Sequence, residues 1–359
     1  MERGEFITIS GLAVAGLAVG CGGGMPVFND KSFLTGDLVV DKYIELVKYA
    51  AMAPSGHNTQ PWIFKISKDQ IIIVLDMTRT CPAVDPNNRE LYISLGCALE
   101  NLLIASEHHG YKCAVEFKET GESTEIAVTQ VKENTASSGL FEYIQIRQCN
   151  RSEYLDLPIR ESIKNEIKSM ETAKPVFIKT IFEKMEMNEI IKPVKKGNSI
   201  QIESSEFMAE LIRWIRFNDG EIKKFRDGLA SKCTGQASAP RWLGKLFINL
   251  FFSAGSQNDK DEKNILSSGG VTAFLSDEDS KISWIKTGQV YQRFVLLLAK
   301  HGLTSAFLNQ PCEVKELRGE LAKTLGYENA KPQLLIRFGY AEKVPYSVRR
   351  DVKDVIKLV

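Results

Sequence analysis

Two distant segments of the chain share one pattern of apolar and polar positions. The segment from Tyr92-Ile93-Ser94-Leu95-Gly96 to His109-Gly110 overlays the segment from Trp284-Ile285-Lys286-Thr287-Gly288 to His301-Gly302 without a gap, at a constant offset of 192 residues. In both, apolar residues recur at helical spacing, which predicts two long buried helices that end beside a glycine. Unrelated core helices can share such a stripe, but the strict offset favours two fused α+β halves that pack as a pseudo-symmetric dimer.

The repeat predicts how the chain is divided. Residues 31–139 form the first half and residues 140–359 the second, with a helix beginning near Arg160. A segment at about 203–264 has no counterpart at the repeat offset and is therefore predicted to be an insertion. With 359 residues, 43% of them apolar, the chain is long enough to bury a core in each half.

The insertion carries two helical patterns. Ser204 or Ser205 is predicted to cap a helix that continues to Phe225. A second stripe consists of large apolar residues, namely Trp242, Leu243, Leu246, Phe247, Leu250 and Phe251. This stripe predicts a helix that packs on the core, forms a lid over a ligand site or contacts a membrane surface.

A polar turn interrupts the apolar pattern of the first half. The helical spacing before it involves Tyr43, Leu46, Val47, Ala50 and Ala51. Pro54 ends this helix because proline lacks a backbone N–H, and Trp62-Ile63-Phe64-Lys65-Ile66 is then typical of a strand. Between them, Ser55, Asn58 and Gln60 offer donors and acceptors that can satisfy the edge of a planar heterocycle. The same residue types are ordinary turn formers, so local chemistry alone leaves both interpretations open.

The first 30 residues resemble an export signal. The apolar run Ile7 to Gly20 is too short to span a hydrocarbon core of about 30 Å, whereas small apolar residues before a break suit a secretory signal. Ala18-Val19-Gly20-Cys21 resembles a lipoprotein cleavage box in which Cys21 is lipidated. We therefore predict an exported protein, periplasmic or lipid-anchored to the cell envelope. The alternative is an uncleaved tail on a cytoplasmic protein.

Charge and cysteine content narrow the possible functions. Lys and Arg total 46 against 45 Asp and Glu, so no basic excess attracts nucleic acid, and we predict no nucleic-acid partner. The seven cysteines contain no CxxC pair and no His at metal-ligand spacing, so no metal site is predicted. No GxGxxG follows a strand, and no Ser-His-Asp or Cys-His arrangement stands out, so neither a dedicated nicotinamide-binding Rossmann site nor a protein nucleophile is indicated.

Several motifs in order along the chain resemble the nitroreductase superfamily of FMN-binding oxidoreductases. Ala53-Pro54-Ser55…Asn58…Gln60-Pro61-Trp62 resembles its APSxxNxQPW motif, and Arg151-Ser152 resembles its Arg-Ser element. Three further stretches resemble the Acg-like branch, in which two nitroreductase-like halves are fused: Ala306-Phe307-Leu308-Asn309-Gln310-Pro311, Pro332-Gln333-Leu334-Leu335-Ile336-Arg337-Phe338-Gly339-Tyr340 and Ser347-Val348-Arg349-Arg350. The resemblance covers roughly residues 41–357.

The resemblance implies one composite FMN site between the halves. It assigns the flavin ring or phosphate to Pro54, Ser55, Asn58, Gln60, Arg151 and Ser152, with Arg147, Arg349 and Arg350 as additional phosphate contacts. Arginine suits phosphate because its guanidinium forms paired, charge-assisted hydrogen bonds. The second half has no PSxxN sequence, and only Lys31-Ser32 precedes the first half, so we predict one FMN per chain and a monomer that is itself a pseudo-dimer.

The implied function is ping-pong hydride transfer. NADH or NADPH would reduce the flavin, and a small electron-poor acceptor (nitroaromatic, quinone-like or conjugated) would then take its place, with no catalytic residue beyond the flavin itself. The competing hypothesis is an FMN-binding or storage protein whose lid excludes nicotinamide. A third possibility, an envelope protein that has lost flavin, is disfavoured because both the PSxxN and Arg-Ser elements are present.

Overall fold

The computed structural model describes residues 35–121, 123–132, 137–170 and 175–359, which form a mixture of helices and mainly antiparallel sheets. The predicted α+β class is therefore confirmed, while the predicted signal segment at 1–30 lies outside the described residues. The helices are α1 Leu38–Ala50, α2 Arg89–His108, α3 Tyr143–Ile146, α4 Glu161–Lys168, α5 Lys184–Glu203, α6 Ser205–Trp214, α7 Asp219–Phe225, α8 Arg241–Phe251, α9 Ala254–Leu266, α10 Lys281–Lys300, α11 Gln310–Glu313 and α12 Lys315–Thr324. The strands are β1 Trp62–Ile66, β2 Ile71–Leu75, β3 Tyr111–Thr120, β4 Ser123–Lys132, β5 Val176–Ile181, β6 Ile215–Arg216, β7 Leu229–Ala230, β8 Gly270–Ser276, β9 Thr304–Phe307, β10 Lys331–Gly339 and β11 Ile356–Leu358.

The two main sheets have the same topology. One runs β11-β1-β2-β4-β3 and the other β5-β8-β10-β9, so that apart from β11 each follows the order first, second, fourth, third. Every neighbouring pair among these eight strands is antiparallel. In each sheet one 20-residue helix connects the second strand to the third: α2 in the first sheet and α10 in the second.

Helices α2 and α10 cross with their backbones in contact. A Cβ placed on Gly96 would lie 1.9 Å from the carbonyl oxygen of Ile285, and one on Gly288 would lie 2.0 Å from the carbonyl oxygen of Ile93. Only glycine permits so close an approach, because any side chain would overlap the opposite backbone. The contacts are reciprocal, because Gly96 and Ile93 of α2 occupy the same positions in the 192-residue overlay as Gly288 and Ile285 of α10.

Local sequence signals predicted the boundaries of these elements well. The helix before the polar turn is α1, and the strand after it is β1 with the predicted bounds. Gly110 and Gly302 follow the ends of α2 and α10 with φ values of 79° and 70°, which is the left-handed conformation expected of a glycine after a helix.

The insertion departs from its predicted structure. Ser204 caps α6 by accepting a hydrogen bond from the Phe207 N–H, as predicted. The single helix predicted up to Phe225 is wrong, because the chain becomes extended at β6 and Asn218 caps a new helix, α7. The break lets Arg216 form a buried ion pair with Asp227 at 2.6 Å, which holds the segment after α7 in place.

Helix α8 does not pack into the core. Trp242, Leu250 and Phe251 are 69%, 64% and 67% exposed, and the buried residue of the helix is Gly244, which contacts the Phe217 ring. The core-packing alternative for this apolar stripe is therefore wrong. Within the described residues, no helix has the length and apolar character needed to cross a membrane.

The C-terminal segment returns to the first sheet. After β10 ends at Gly339, the chain runs across the molecule and pairs β11 in parallel with β1, with Phe64 opposite Ile356. The Phe64 N–H also donates to the Val355 carbonyl at 2.7 Å. The last residues of the second half thus form the edge strand of the first sheet.

The helix crossing gives a direct stability test. We expect Gly96→Ala to lower the free energy of unfolding by about 1–3 kcal/mol or more, because the added methyl group overlaps the Ile285 backbone. The matched control is Gly319→Ala in α12, where a Cβ meets nothing within 4 Å; this change should stabilise the protein by about 0.5–1 kcal/mol. Urea denaturation of both variants checks the prediction, and equal effects of the two substitutions would contradict it.

Candidate functional site

The polar turn after α1 adopts an unusual backbone conformation. His57, Asn58 and Gln60 have φ values of 48°, 54° and 54°, a left-handed region that residues other than glycine rarely occupy. The Ser55 hydroxyl accepts a hydrogen bond from the Gln60 N–H at 3.0 Å and closes the turn. Strained backbone persists only where surrounding contacts hold it, so the contacts of this turn indicate its role.

Amide side chains tie the turn to distant segments. Asn58 Nδ2 donates to the carbonyls of Gly228 at 3.2 Å and Val348 at 3.3 Å. Gln60, which is fully buried, donates to the Arg226 carbonyl at 2.9 Å and accepts from the Arg350 N–H at 2.7 Å. The turn is thereby joined to the insertion and to the C-terminal segment.

A cavity of about 280 Å³ opens beside this turn. Its walls come largely from four stretches of chain, within residues 52–58, 144–151, 228–234 and 345–349, together with side chains of α2, α10 and the α11 region. Residues on both sides of the predicted boundary at residue 140, and residues of the 203–264 segment, therefore all contribute. A concave site where separate parts of a fold meet is a usual place for a small ligand or cofactor.

Two guanidinium groups in the cavity wall lack an acidic partner among the described residues. Arg147 is buried and donates to the Met52 carbonyl at 3.3 Å. Arg349 donates to Asn58 Oδ1 at 3.1 Å and to the carbonyls of Met52 and Ala53 at 3.3 and 3.4 Å. The Nε atoms of both arginines are buried without a hydrogen-bond partner. A positive site of this kind suits an anion, because charge-assisted hydrogen bonds to phosphate use several N–H groups at once.

The positive charge of Arg147 also affects Arg349. Burial, with the nearby positive charge of Arg147, lowers the pKa of Arg349 to about 9. A bound anion would oppose this lowering by supplying a negative charge.

The predicted site residues fall into two groups. Pro54, Ser55, Asn58, Arg147, Arg151 and Arg349 line the cavity. Gln60, Ser152 and Arg350 do not line it, and each bonds to protein instead. Ser152 Oγ donates to Asn150 Oδ1 at 2.6 Å, while Arg350 pairs with Asp76 at 3.3 Å and donates to the Gln60 carbonyl at 3.2 Å. Three of the four predicted arginines thus line one cavity, whereas the fourth, Arg350, forms contacts within the protein.

His57 also lines the cavity, and no hydrogen bond of its ring is found among the described residues. Burial and the positive charge of Arg151 lower the pKa of His57 to about 4, so the imidazole is neutral at physiological pH. A neutral imidazole can donate or accept one hydrogen bond towards a ligand.

Sequence reasoning missed a pair of carboxyl groups in the cavity wall, Glu90 and Glu313. Their side chains are hydrogen-bonded to each other. Asn309 Nδ2 donates to Glu90 Oε1 at 3.1 Å, and Gln201 Nε2 donates to Glu313 at 2.5 Å. Nothing in the sequence flagged them, since an acidic residue in the first turn of a helix is ordinary. Among the described residues, no cluster of His, Cys, Asp and Glu has the arrangement of a metal site.

Comparison with known proteins gives full-length relatives. A provisionally named NAD(P)H nitroreductase, acg, from Mycobacterium tuberculosis H37Rv is 23% identical over 323 residues, which cover 86% of this chain and 93% of the relative. Another, Rv3131 of the same strain, is 22% identical over 317 residues, covering 86% and 89%. The chain is similar to Acg-like nitroreductases. The resemblance first inferred from its motifs is thereby confirmed over most of its length, although no protein-family model matches it.

Solved structures show a weaker likeness. The FMN- and NADPH-dependent nitroreductase NfnB from Sphigopyxis sp. strain HMH matches with a TM-score of 0.40 at 12% identity, covering 61% of this chain and 98% of that protein. A nitroreductase-like family protein from Bacillus cereus matches with a TM-score of 0.37 at 14% identity, covering 63% and 98%. These identities are too low to transfer site residues to this chain.

The carboxyl pair predicts a specific pH dependence of stability. Burial and the adjacent Glu313 raise the pKa of Glu90 from 4.5 to about 8. A raised pKa means that the folded chain holds this proton more tightly than the unfolded chain, so the resulting stability is complete below about pH 4.5 and is lost as the pH rises through about 8. We expect Glu90→Gln to flatten this decline in the free energy of unfolding, measured by urea denaturation between about pH 5 and pH 8.

The control for this measurement is Glu316→Gln, an exposed carboxyl in the first turn of α12. Some slope should remain in the Glu90 variant, because burial is the largest cause that raises the pKa of Asp85, to about 7 in the unmodified protein, and burial persists when the charge of Glu90 is removed. A decline that is as steep in Glu90→Gln as in the unmodified protein would contradict the assignment of the raised pKa to Glu90.

Proposed function

We propose that this chain is an FMN-dependent oxidoreductase of the nitroreductase type, which passes reducing equivalents from a nicotinamide donor to a small electron-poor acceptor. The observation that carries the proposal is the cavity beside the Ser55–Asn58 turn, which is lined by Arg147, Arg151 and Arg349. Of these, Arg147 and Arg349 have no acidic partner among the described residues. The two relatives from Mycobacterium tuberculosis, which are named as NAD(P)H nitroreductases, support the donor and the reaction class.

The residues present fit the proposed cofactor. The three guanidinium groups would hold the FMN phosphate, whose charge would satisfy the unpartnered Nε atoms of Arg147 and Arg349. Ser55, Asn58 and the neutral His57 would meet the polar edge of the flavin ring. When bound, the flavin supplies the two-electron redox chemistry; the protein binds it, orients it and limits access of water.

We also propose that the two halves arose by duplication and form one asymmetric site per chain. The identical strand order of the two sheets and the reciprocal contacts of Gly96 and Gly288 support duplication. The asymmetry follows from the sequence, because the PSxxN element occurs once. We therefore predict that the protein is a monomer that binds one FMN.

A flavin-storage function is the second candidate. It is favoured by the insertion, whose residues Phe207, Gly228–Ala230, Cys233 and Thr234 wall the cavity and limit the opening through which a nicotinamide would reach the flavin. In this alternative the insertion acts as a lid, as one interpretation of its sequence suggested.

The two functions differ in anaerobic reduction. We expect NADH or NADPH to bleach the flavin absorbance of the purified holoprotein, and a quinone or nitroaromatic acceptor to restore it. A holoprotein that dithionite bleaches and both nucleotides leave oxidised would instead support storage. A protein that takes up no added FMN would overturn both candidates.

The phosphate assignment is tested by FMN affinity. Arg349→Gln and Arg151→Ala should each weaken FMN binding by about 1.5–3 kcal/mol, or roughly 10- to 100-fold, because each removes a charge-assisted phosphate contact. Arg160→Gln is the matched control, since Arg160 is exposed and outside the cavity wall. Fluorescence titration of apoprotein gives both the affinity and the stoichiometry, and a ratio near two FMN per chain would contradict the single asymmetric site.

Export and lipidation at Cys21 remain part of the proposal and rest on the sequence of the first 30 residues. The exposed apolar face of α8 is compatible with a position at a lipid surface, because interfacial helices carry Trp, Phe and Leu on one face.

A further inference from the structure

The carboxyl groups of Glu90 and Glu313 have no part in holding FMN as proposed above. They lie in the cavity wall and are hydrogen-bonded to each other. Two carboxyl groups that are hydrogen-bonded to each other do not readily both ionise, because the two negative charges would repel each other. The pair therefore retains at least one proton, and both side chains line the cavity.

Neutral and cationic donors hold the pair in place. Asn309 and Arg89 donate to Glu90 Oε1 at 3.1 and 3.3 Å, and Gln201 donates to Glu313. The other oxygen of Glu90 lies next to the polar turn, since a Cβ built on Gly56 would be 3.3 Å from Oε2. The Glu90 carboxyl is thus fixed with one oxygen directed at the donors and the other beside the turn.

The charges around the pair preserve its proton. Arg89 is the adjacent cation, and Asp85, whose side chain caps the start of α2, is a further acidic neighbour. Cys312 and Cys81 also lie nearby, and burial raises the pKa of both thiols, to about 12 for Cys312, so they carry no charge at neutral pH. One guanidinium facing three carboxyl groups does not neutralise them all, which favours retention of a proton.

The pair borders the region proposed for the flavin ring. Its neighbour Gly56 belongs to the Ser55–Asn58 turn, whereas no hydrogen bond within the described structure joins Glu90 or Glu313 to any of the three arginines assigned to the phosphate. A small acceptor that enters the cavity to react with the ring can therefore contact this carboxyl pair.

We propose that the Glu90–Glu313 pair is the proton donor to the electron acceptor, and that it selects acceptors presenting a neutral oxygen that accepts hydrogen bonds, such as a quinone-like carbonyl. This inference rests on the proposed oxidoreductase function. Reduction of a quinone needs two electrons and two protons. A hydride equivalent from the reduced flavin brings both electrons and one proton. The Glu90 O–H bond breaks as a new O–H bond forms on the acceptor oxygen, and the resulting carboxylate later takes a proton from water.

The test isolates the acceptor step. Holoprotein is reduced with dithionite, freed of excess reductant and mixed rapidly with benzoquinone while flavin reoxidation is followed. We expect Glu90→Gln to slow reoxidation by about 100-fold or more, the usual size of a general-acid contribution. In the unmodified protein the rate should fall as the pH rises through about 8, and this dependence should vanish in the variant. Glu313→Gln should shift the pH profile, because it removes the carboxyl that raises the pKa of Glu90.

The matched control is Glu100→Gln, which removes another buried carboxyl of α2. Glu100 pairs with Arg293 and lies outside the cavity wall, so its loss tests for a general effect on the helix. Reoxidation in this variant should keep the unmodified rate and pH profile. A Glu90→Gln variant whose acceptor step also keeps the unmodified rate and pH profile overturns the proposal, as does equal slowing of Glu90→Gln and Glu100→Gln.

A second readout does not depend on turnover. Infrared difference spectra of the protein at neutral pH should show the C=O stretch of a protonated carboxylic acid that disappears in Glu90→Gln and persists in Glu100→Gln. Absence of that difference overturns the proton-holding pair. If nicotinamide does not reduce the flavin, the proposed donor reaction fails, while the dithionite and infrared measurements still decide the role of the pair.

Discussion

The contact between the backbones of α2 and α10 governs the rest of the architecture. Because Gly96 and Gly288 let the helices touch, residues of both sheets share one apolar core, and side chains of both helices reach the same cavity. Glu90 enters it from the first turn of α2, and Tyr291 enters it from α10. A wider crossing would separate the halves and with them the two sides of the site. The position of the cavity is therefore a consequence of the packing of α2 against α10.

The cavity concentrates features that oppose stability. Arginines without an acidic partner among the described residues, two neighbouring carboxyl groups of raised pKa and three left-handed residues in one turn each cost free energy in the folded chain. The surrounding structure compensates through well-packed sheets and through ties such as Asn58 to Gly228 and Gln60 to Arg226. When residues that lower the stability of the folded chain cluster at one place in an otherwise well-packed fold, that place is expected to be a ligand site.

The sequence predicted what local signals determine. Apolar spacing and the following glycines located α2 and α10, and the proline-bounded turn located the end of α1 and the start of β1. These features depend on neighbours within one or two turns of chain. The motifs also indicated which arginines to examine, and three of the four line the cavity.

What the sequence could not predict depends on distant contacts. Gln60 and Arg350 were expected to face a ligand, but the left-handed backbone at Gln60 turns its amide towards the Arg350 N–H, 290 residues away. Glu90 and its partner Asn309 are separated by 219 residues, so no local pattern marks them as a site. The break between α6 and α7 likewise follows from the buried Arg216–Asp227 pair, which helical periodicity does not reveal.

The return of the C-terminal segment to β1 has a consequence for biosynthesis. The first sheet contains β1 early in the chain, yet β11, its edge strand, and Ser347 and Arg349 of the cavity wall are synthesised after all the other described strands. Domains fold as their residues emerge, but the wall of this cavity is not complete until Arg349 has been synthesised. A ligand that needs the whole wall must therefore bind after nearly all of the described residues have been made.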